Sequence, residues 1–191
     1  GSLTTATVNY GTPPTGLPAA GGIVGIELGD GSGVFQLAVL NATTTTAQVP
    51  ALSYFSGAQY RFTGVAQDAA TAPNNQSIVL RRHLADATFV AGAWPSVPAS
   101  VTVTRTSASW TNAAGAVLHG VEIDSGSTAV LSITSFDGTS TVTMPAEVSL
   151  PSGSLSAKVQ GLVGDLDLSD LAIDRDREKL TAVGAANVMV P

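Results

Sequence analysis

Apolar side chains recur at every second position through most of this chain. Val8 and Tyr10 lie on one face of a strand predicted over residues 4–10. Ile23 to Leu28 is predicted as a buried strand. Gly29-Asp30-Gly31-Ser32-Gly33 is a turn, since consecutive glycines supply positive φ without steric cost. Phe35, Leu37 and Val39 alternate in a half-buried returning strand, and Thr44 to Val49 is ended by Pro50. Gln59 to Val65 gives the clearest alternation of the first half, followed by a loop over 68–76 and closing strands at 77–80 and 87–90. The second half follows a similar plan, with Val101 and Val103, Ala108 and Trp110, then 117–123, 130–134, 140–144 stopped by Pro145, 155–159 and 180–190. Short strands at regular spacing, separated by turn signals, predict an all-β sandwich or barrel. Residues 169–180 carry an N-cap residue and helix formers, so a helix competes with a strand there.

The two halves also share local sequence. Ala20-Gly21-Gly22-Ile23-Val24-Gly25-Ile26-Glu27 resembles Gly115-Ala116-Val117-Leu118-His119-Gly120-Val121-Glu122 when Gly25 is set on Gly120, a shift of 95 residues. The same shift sets Pro50 on Pro145 and Tyr60 on Leu155. A self-match at one spacing is the mark of a duplicated unit. Trp94-Pro95-Ser96-Val97-Pro98 has linker chemistry, because each proline restricts the residue before it. The expected architecture is therefore two tandem antiparallel β-sandwich domains related by an internal repeat, residues 1–94 and 95–191.

The corner Leu150-Pro151-Ser152-Gly153, leading into the alternating run Leu155, Ala157, Val159, resembles the corner of fibronectin type III domains. Trp110 ends an earlier strand where that family carries a buried tryptophan. In the first half Gly57-Ala58-Gln59-Tyr60 stands at the corner and keeps the family's tyrosine. The resemblance implies a fibronectin type III-like or immunoglobulin-like sandwich in each half, with a tyrosine corner possible only at Tyr60 because Leu155 has no hydroxyl. The 95-residue shift leaves Thr15 in the first half where Trp110 stands in the second. Such a fold implies no particular activity.

Composition narrows the function classes. Eight basic against 14 acidic residues give a net charge of −6 with no basic run, which argues against a nucleic-acid partner. Without cysteine the chain has no thiol nucleophile, thiolate metal site or disulfide framework. No apolar stretch reaches the ~20 residues of a membrane-spanning helix. Sparse lysine with abundant threonine and serine resembles exported bacterial surface proteins, so the expected setting is extracellular, cell-surface or periplasmic.

Candidate chemistry is thin. His83 and His119 are the only histidines; His119, in a strand, is expected to face outward or satisfy a local hydrogen bond. A zinc site would require both to meet. The glycine-rich turn lacks the lysine and following helix of a phosphate loop. No Gly-x-Ser-x-Gly elbow supports a serine nucleophile. Aromatic residues are too few for a carbohydrate-stacking platform; one of Tyr54 and Phe55 is expected in the core, and Trp94 in the joint between the halves. Asn41-Ala42-Thr43 and Asn75-Gln76-Ser77 match the glycosylation sequon. The acidic run with Asp165, Asp167, Asp170, Asp174, Asp176 and Glu178 offers oxygen ligands for calcium, with Asp165, Asp167 and Asp170 the candidates. Interleaved Arg175, Arg177 and Lys179 favour a solvated, self-neutralising segment instead, so no bound metal or cofactor is expected. The chain is expected to be a non-catalytic structural or adhesive module, a spacer or a platform for protein or surface glycan. The alternative is a glycan- or calcium-binding module serving an enzyme in a longer chain.

Overall fold

A computed structural model describes residues 4–28, 33–41, 43–52, 55, 57–68, 74–85, 88–90, 94–136, 138–164 and 180–191. Every regular element among them is a β-strand. The chain packs into two compact units, Gly1–Gln67 with Ile78–Trp94, and Asp68–Ser77 with Pro95–Pro191. The division after Trp94 falls at the proline-containing segment, while Asp68–Ser77, which spans the loop expected over 68–76 and the first residue of the strand expected at 77–80, is grouped with the second unit.

In the first unit, β1 (Thr5–Asn9) lies between β4 (Thr46–Pro50) and the two-residue β7 (Phe89–Val90). A second sheet has the order β6 (Gln76–Leu84), β5 (Gln59–Gln67), β2 (Ala19–Glu27), β3 (Val34–Asn41). The core draws Ala6 and Val8 from β1, Val24 and Ile26 from β2, and Tyr60, Phe62 and Ala66 from β5. Each set is spaced by two or four residues, as strands with one buried face require. The inward face read for Phe35, Leu37 and Val39 is not what β3 adopts. Ile26 pairs with Phe35 and Gly25 with Gln36, but Val24 pairs with Ala38, so Leu37 is an extra residue and the alternation breaks there. Leu40 is the buried residue of this strand, while Phe35 and Val39 are exposed.

In the second unit, β9 (Ser107–Thr111) lies between β8 (Ala99–Val103) and β12 (Thr141–Thr143). The facing sheet runs β11 (Thr128–Ser135), β10 (Leu118–Ser125), β13 (Leu155–Gly164), β14 (Leu180–Val190). Its core joins Val103, Ala108 and Trp110 to Val121, Ile123, Leu155, Ala157, Val159 and Val190. The chain moves from the three-stranded to the facing sheet after β9, returns for β12 and crosses again into β13. Each unit is thus an antiparallel β-sandwich, apart from the parallel contact of β1 with β7.

A single 95-residue repeat does not survive the strand register. Gly25 pairs with Arg61 and Gly120 with Gln160, so matching the two glycines sets Arg61 on Gln160. That is four residues beyond the shift that matches Tyr60 to Leu155. The units share a strand plan, with loops and registers of different length. The same register relocates the partner of Trp110. Trp110 N–H donates to the Ser140 carbonyl, and Tyr10 N–H donates to the Thr45 carbonyl, so Tyr10 rather than Thr15 takes the corresponding place.

Candidate functional site

The aromatic and histidine side chains singled out in the sequence belong largely to the cores. Trp94 is buried in the first unit, where its indole N–H donates to the Tyr10 carbonyl at 3.1 Å. Its ring packs 5.0 Å from that of Tyr10 and edge-on to Phe62 at 6.5 Å. It is part of the first unit's core. Gly64 makes room for it, since a β-carbon there would lie 2.7 Å from the tryptophan ring. Burial holds the Tyr10 phenol above the usual tyrosine range. The Tyr10 hydroxyl and the Trp110 indole nitrogen are both buried without a hydrogen-bond partner. Phe55 is exposed, and Tyr54 lies outside the described residues.

The corner before β5 is closed as the tyrosine there implies: the Tyr60 hydroxyl donates to the Pro50 carbonyl at 2.6 Å. Leu155 starts β13 without such a bond. The second unit instead fixes its corner through Arg105, whose guanidinium donates to the carbonyls of Pro151 at 2.6 Å and Gly153 at 2.7 Å. A planar fork with several donors suits two carbonyls at once. Nothing in the local sequence distinguishes Arg105 from a solvated arginine, because its partners lie more than forty positions away.

His119 faces inward. Its Nε2 accepts the Ala113 N–H at 3.3 Å, and its ring lies 5.6 Å from that of Trp110. Burial lowers its pKa below the ordinary histidine value, favouring the neutral acceptor. The turn above it is tied by Ala114 N–H to Ser96 Oγ at 2.8 Å and Val117 N–H to the Leu162 carbonyl at 2.8 Å. His119 is therefore a packed histidine that holds a corner. Among the described residues no three histidine or acidic side chains gather as metal ligands. Asp165, Asp167, Asp170 and the rest of the acidic run lie outside the described residues, as does the helix alternative at 169–179.

Two ion pairs bridge neighbouring strands, one between β2 and β5 and one between β10 and β13. Arg61 forms an ion pair with Glu27, and Lys158 with Glu122 at 3.0 Å. Beside the second pair the second unit carries an open groove of about 590 Å³, lined by Asn74, Gln76, Ser154, Ser156, Lys158 and Asn187. Asn187 holds one wall in place, its backbone N–H donating to Asn75 Oδ1 at 3.1 Å and its side-chain amide donating to the Asn74 carbonyl. Asn74 Oδ1 is buried without a partner. Met189, beyond Asn187 on the same strand face, contributes an exposed thioether. Amides, hydroxyls and a neutralised lysine can hydrogen-bond a neutral polar ligand, but they supply no nucleophile with its base. Sequence reasoning missed this groove because its wall comes from residues 74–76, far from β13 and β14 along the chain. The sequons differ as well. Asn41 is exposed, its Oδ1 accepting from Thr43 and Thr44, whereas Asn75 is engaged by Asn187.

No protein-family profile matches the chain, and no curated protein matches it. Among solved structures, the chain is similar to the crystal structure of chicken CNTN1 FN1-FN3 domains, at 14% identity and a TM-score of 0.29. The match covers 74% of this chain and 48% of that one, about half of its length. The fibronectin type III-like, immunoglobulin-like character accordingly rests on the chain's own strands: in each unit a three-stranded sheet faces a further run of antiparallel strands, and the first unit has a corner tyrosine. Among the described residues there is no helix long and apolar enough to cross a membrane.

Proposed function

We propose that the chain is a non-catalytic structural or adhesive module of a secreted or surface-anchored protein, acting as a spacer or a protein-binding platform. The observation that carries this reading is how its reactive side chains are used. His119 is an acceptor inside a core, Glu27 and Glu122 are paired with cations on sheet faces, and Tyr60 and Arg105 close corners. Among the described residues, strands such as β3 and β11 carry no charged side chain and offer surface suited to flat contacts. The test is to display the chain on a cell surface and measure adhesion to protein-coated and glycan-coated surfaces against an unrelated sandwich domain. Adhesion to immobilised protein is expected; adhesion to neither coating overturns the adhesive reading.

The groove beside Lys158 favours a second reading, a module that binds a neutral, hydroxyl-rich ligand such as a glycan. The unpartnered Asn74 Oδ1 is an acceptor that such a ligand would satisfy. Glycan-dependent adhesion abolished by Asn187→Ala would select this reading over the first.

A further inference from the structure

The outer edge of β3 has no strand beside it among the described residues, because β3 is the last strand of its sheet, next to β2. An uncovered strand edge presents a row of backbone donors and acceptors, and proteins ordinarily blunt it with lysine, proline or a bulge. Of these, Val34–Asn41 has only the bulge at Leu37, and it contains no charged residue and no proline. Its apolar side chains are open to solvent: Val34 is 49%, Phe35 50% and Val39 55% exposed. Ile23, the partner of Val39 across the ladder, is 49% exposed on the same face. Beside this pair lies a shallow apolar depression of about 500 Å³, lined also by Gly21, Thr63 and Val65.

The second unit supplies an internal contrast. Its corresponding edge strand, β11, exposes Thr128, Ser132 and Thr134, and no large apolar residue of that strand is exposed. The same fold therefore carries one edge with a hydroxyl-rich surface and one with an apolar surface.

We propose that the β3 edge is a self-association surface on which a second copy of this chain pairs, strand to strand, about a two-fold axis. Two observations single out a second copy. An antiparallel strand edge is self-complementary under two-fold symmetry, each copy offering the same donors and acceptors. Charge is the second. The chain carries −6 overall, so two copies repel, yet β3 contributes no charge and the nearest described carboxylate, Glu27, is neutralised by Arg61. The uncharged edge is where like-charged copies approach at least cost. An edge of eight residues is roughly 27 Å long at about 3.4 Å per residue. With Ile23 it falls short of the ~800 Å² per partner of a standard interface, so the dimer is weak and concentration-dependent.

Sedimentation velocity of the full chain, from low to high micromolar concentration, tests this. The weight-average mass is expected to rise from 19.1 kDa towards twice that value. Val39→Lys places a charge on an already exposed edge position, and should hold the mass at the monomer value with the melting temperature unchanged. Thr134→Lys on β11 should associate as the parent does. A parent that stays monomeric throughout overturns the proposal, including one whose β3 edge is found to bind a different polypeptide. Association that persists in a folded Val39→Lys variant overturns it too.

Discussion

His119→Phe removes one acceptor and keeps a ring against Trp110, so it isolates what the imidazole nitrogen contributes. In the parent, Nε2 accepts the Ala113 N–H at 3.3 Å in a residue that is 2% exposed. Phenylalanine leaves that donor buried and unpaired, which costs about 1–3 kcal/mol. The cost should depend on pH. Burial lowers the folded-state pKa of His119, so the unfolded chain binds the proton more readily. Its contribution is whole above the unfolded value of about 6.5 and declines as pH falls below it. The decline reaches at most about 1.4 kcal/mol per pH unit, and stops at the folded-state pKa. The Ala113 N–H and the Trp110 ring, its observed partners, carry no charge, and burial is the cause of the lowered pKa. Urea unfolding of parent and variant between about pH 8 and pH 5 measures the difference directly, since everything the two chains share cancels. The variant should be the less stable at pH 8, with the gap closing in acid. A gap that stays constant across the range would refute the neutral-acceptor assignment.

Trp110→Ala should cost about 3–5 kcal/mol, as for large aromatic truncations in a core, measured by the urea midpoint of the second unit. Tyr60→Phe should cost about 0.5–2 kcal/mol by losing the bond to the Pro50 carbonyl, and a variant as stable as the parent would contradict a closed corner. For the acidic run, we expect calorimetry with millimolar calcium to detect no binding. A calcium-dependent rise in melting temperature that disappears in Asp167→Ala would instead make the run a metal site.

Strands buried on one face were legible in the sequence. Val8 and Tyr10, Tyr60 and Phe62, and the run from Leu155 to Val159 alternate as a buried face requires. So was the Tyr60 corner, because hydroxyl, glycine and strand start lie close together in the chain. What escaped was set by long-range register. The extra residue at Leu37 puts Phe35 and Val39 on opposite faces: Val39 lies beside exposed Ile23, and Phe35, on the face of buried Ile26, is left exposed at the sheet edge. Trp94 looked like linker because Pro95 follows it, yet its pocket is built by Tyr10, Phe62 and Gly64 from strands distant in sequence. The corner role of Arg105 and the wall that Asn74 and Gln76 give the groove have the same origin. Local pattern specifies which face of a strand is apolar; it does not specify the partner that covers that face.

A tandem of sandwich modules makes a mechanical claim about the whole chain, and single-molecule pulling of all 191 residues from their two ends tests it most directly. The account predicts two separate unfolding events, each releasing about 300 Å for roughly 90 residues at about 3.4 Å per residue. A single event releasing about 600 Å would contradict it, because the two halves would then fold and fail as one body.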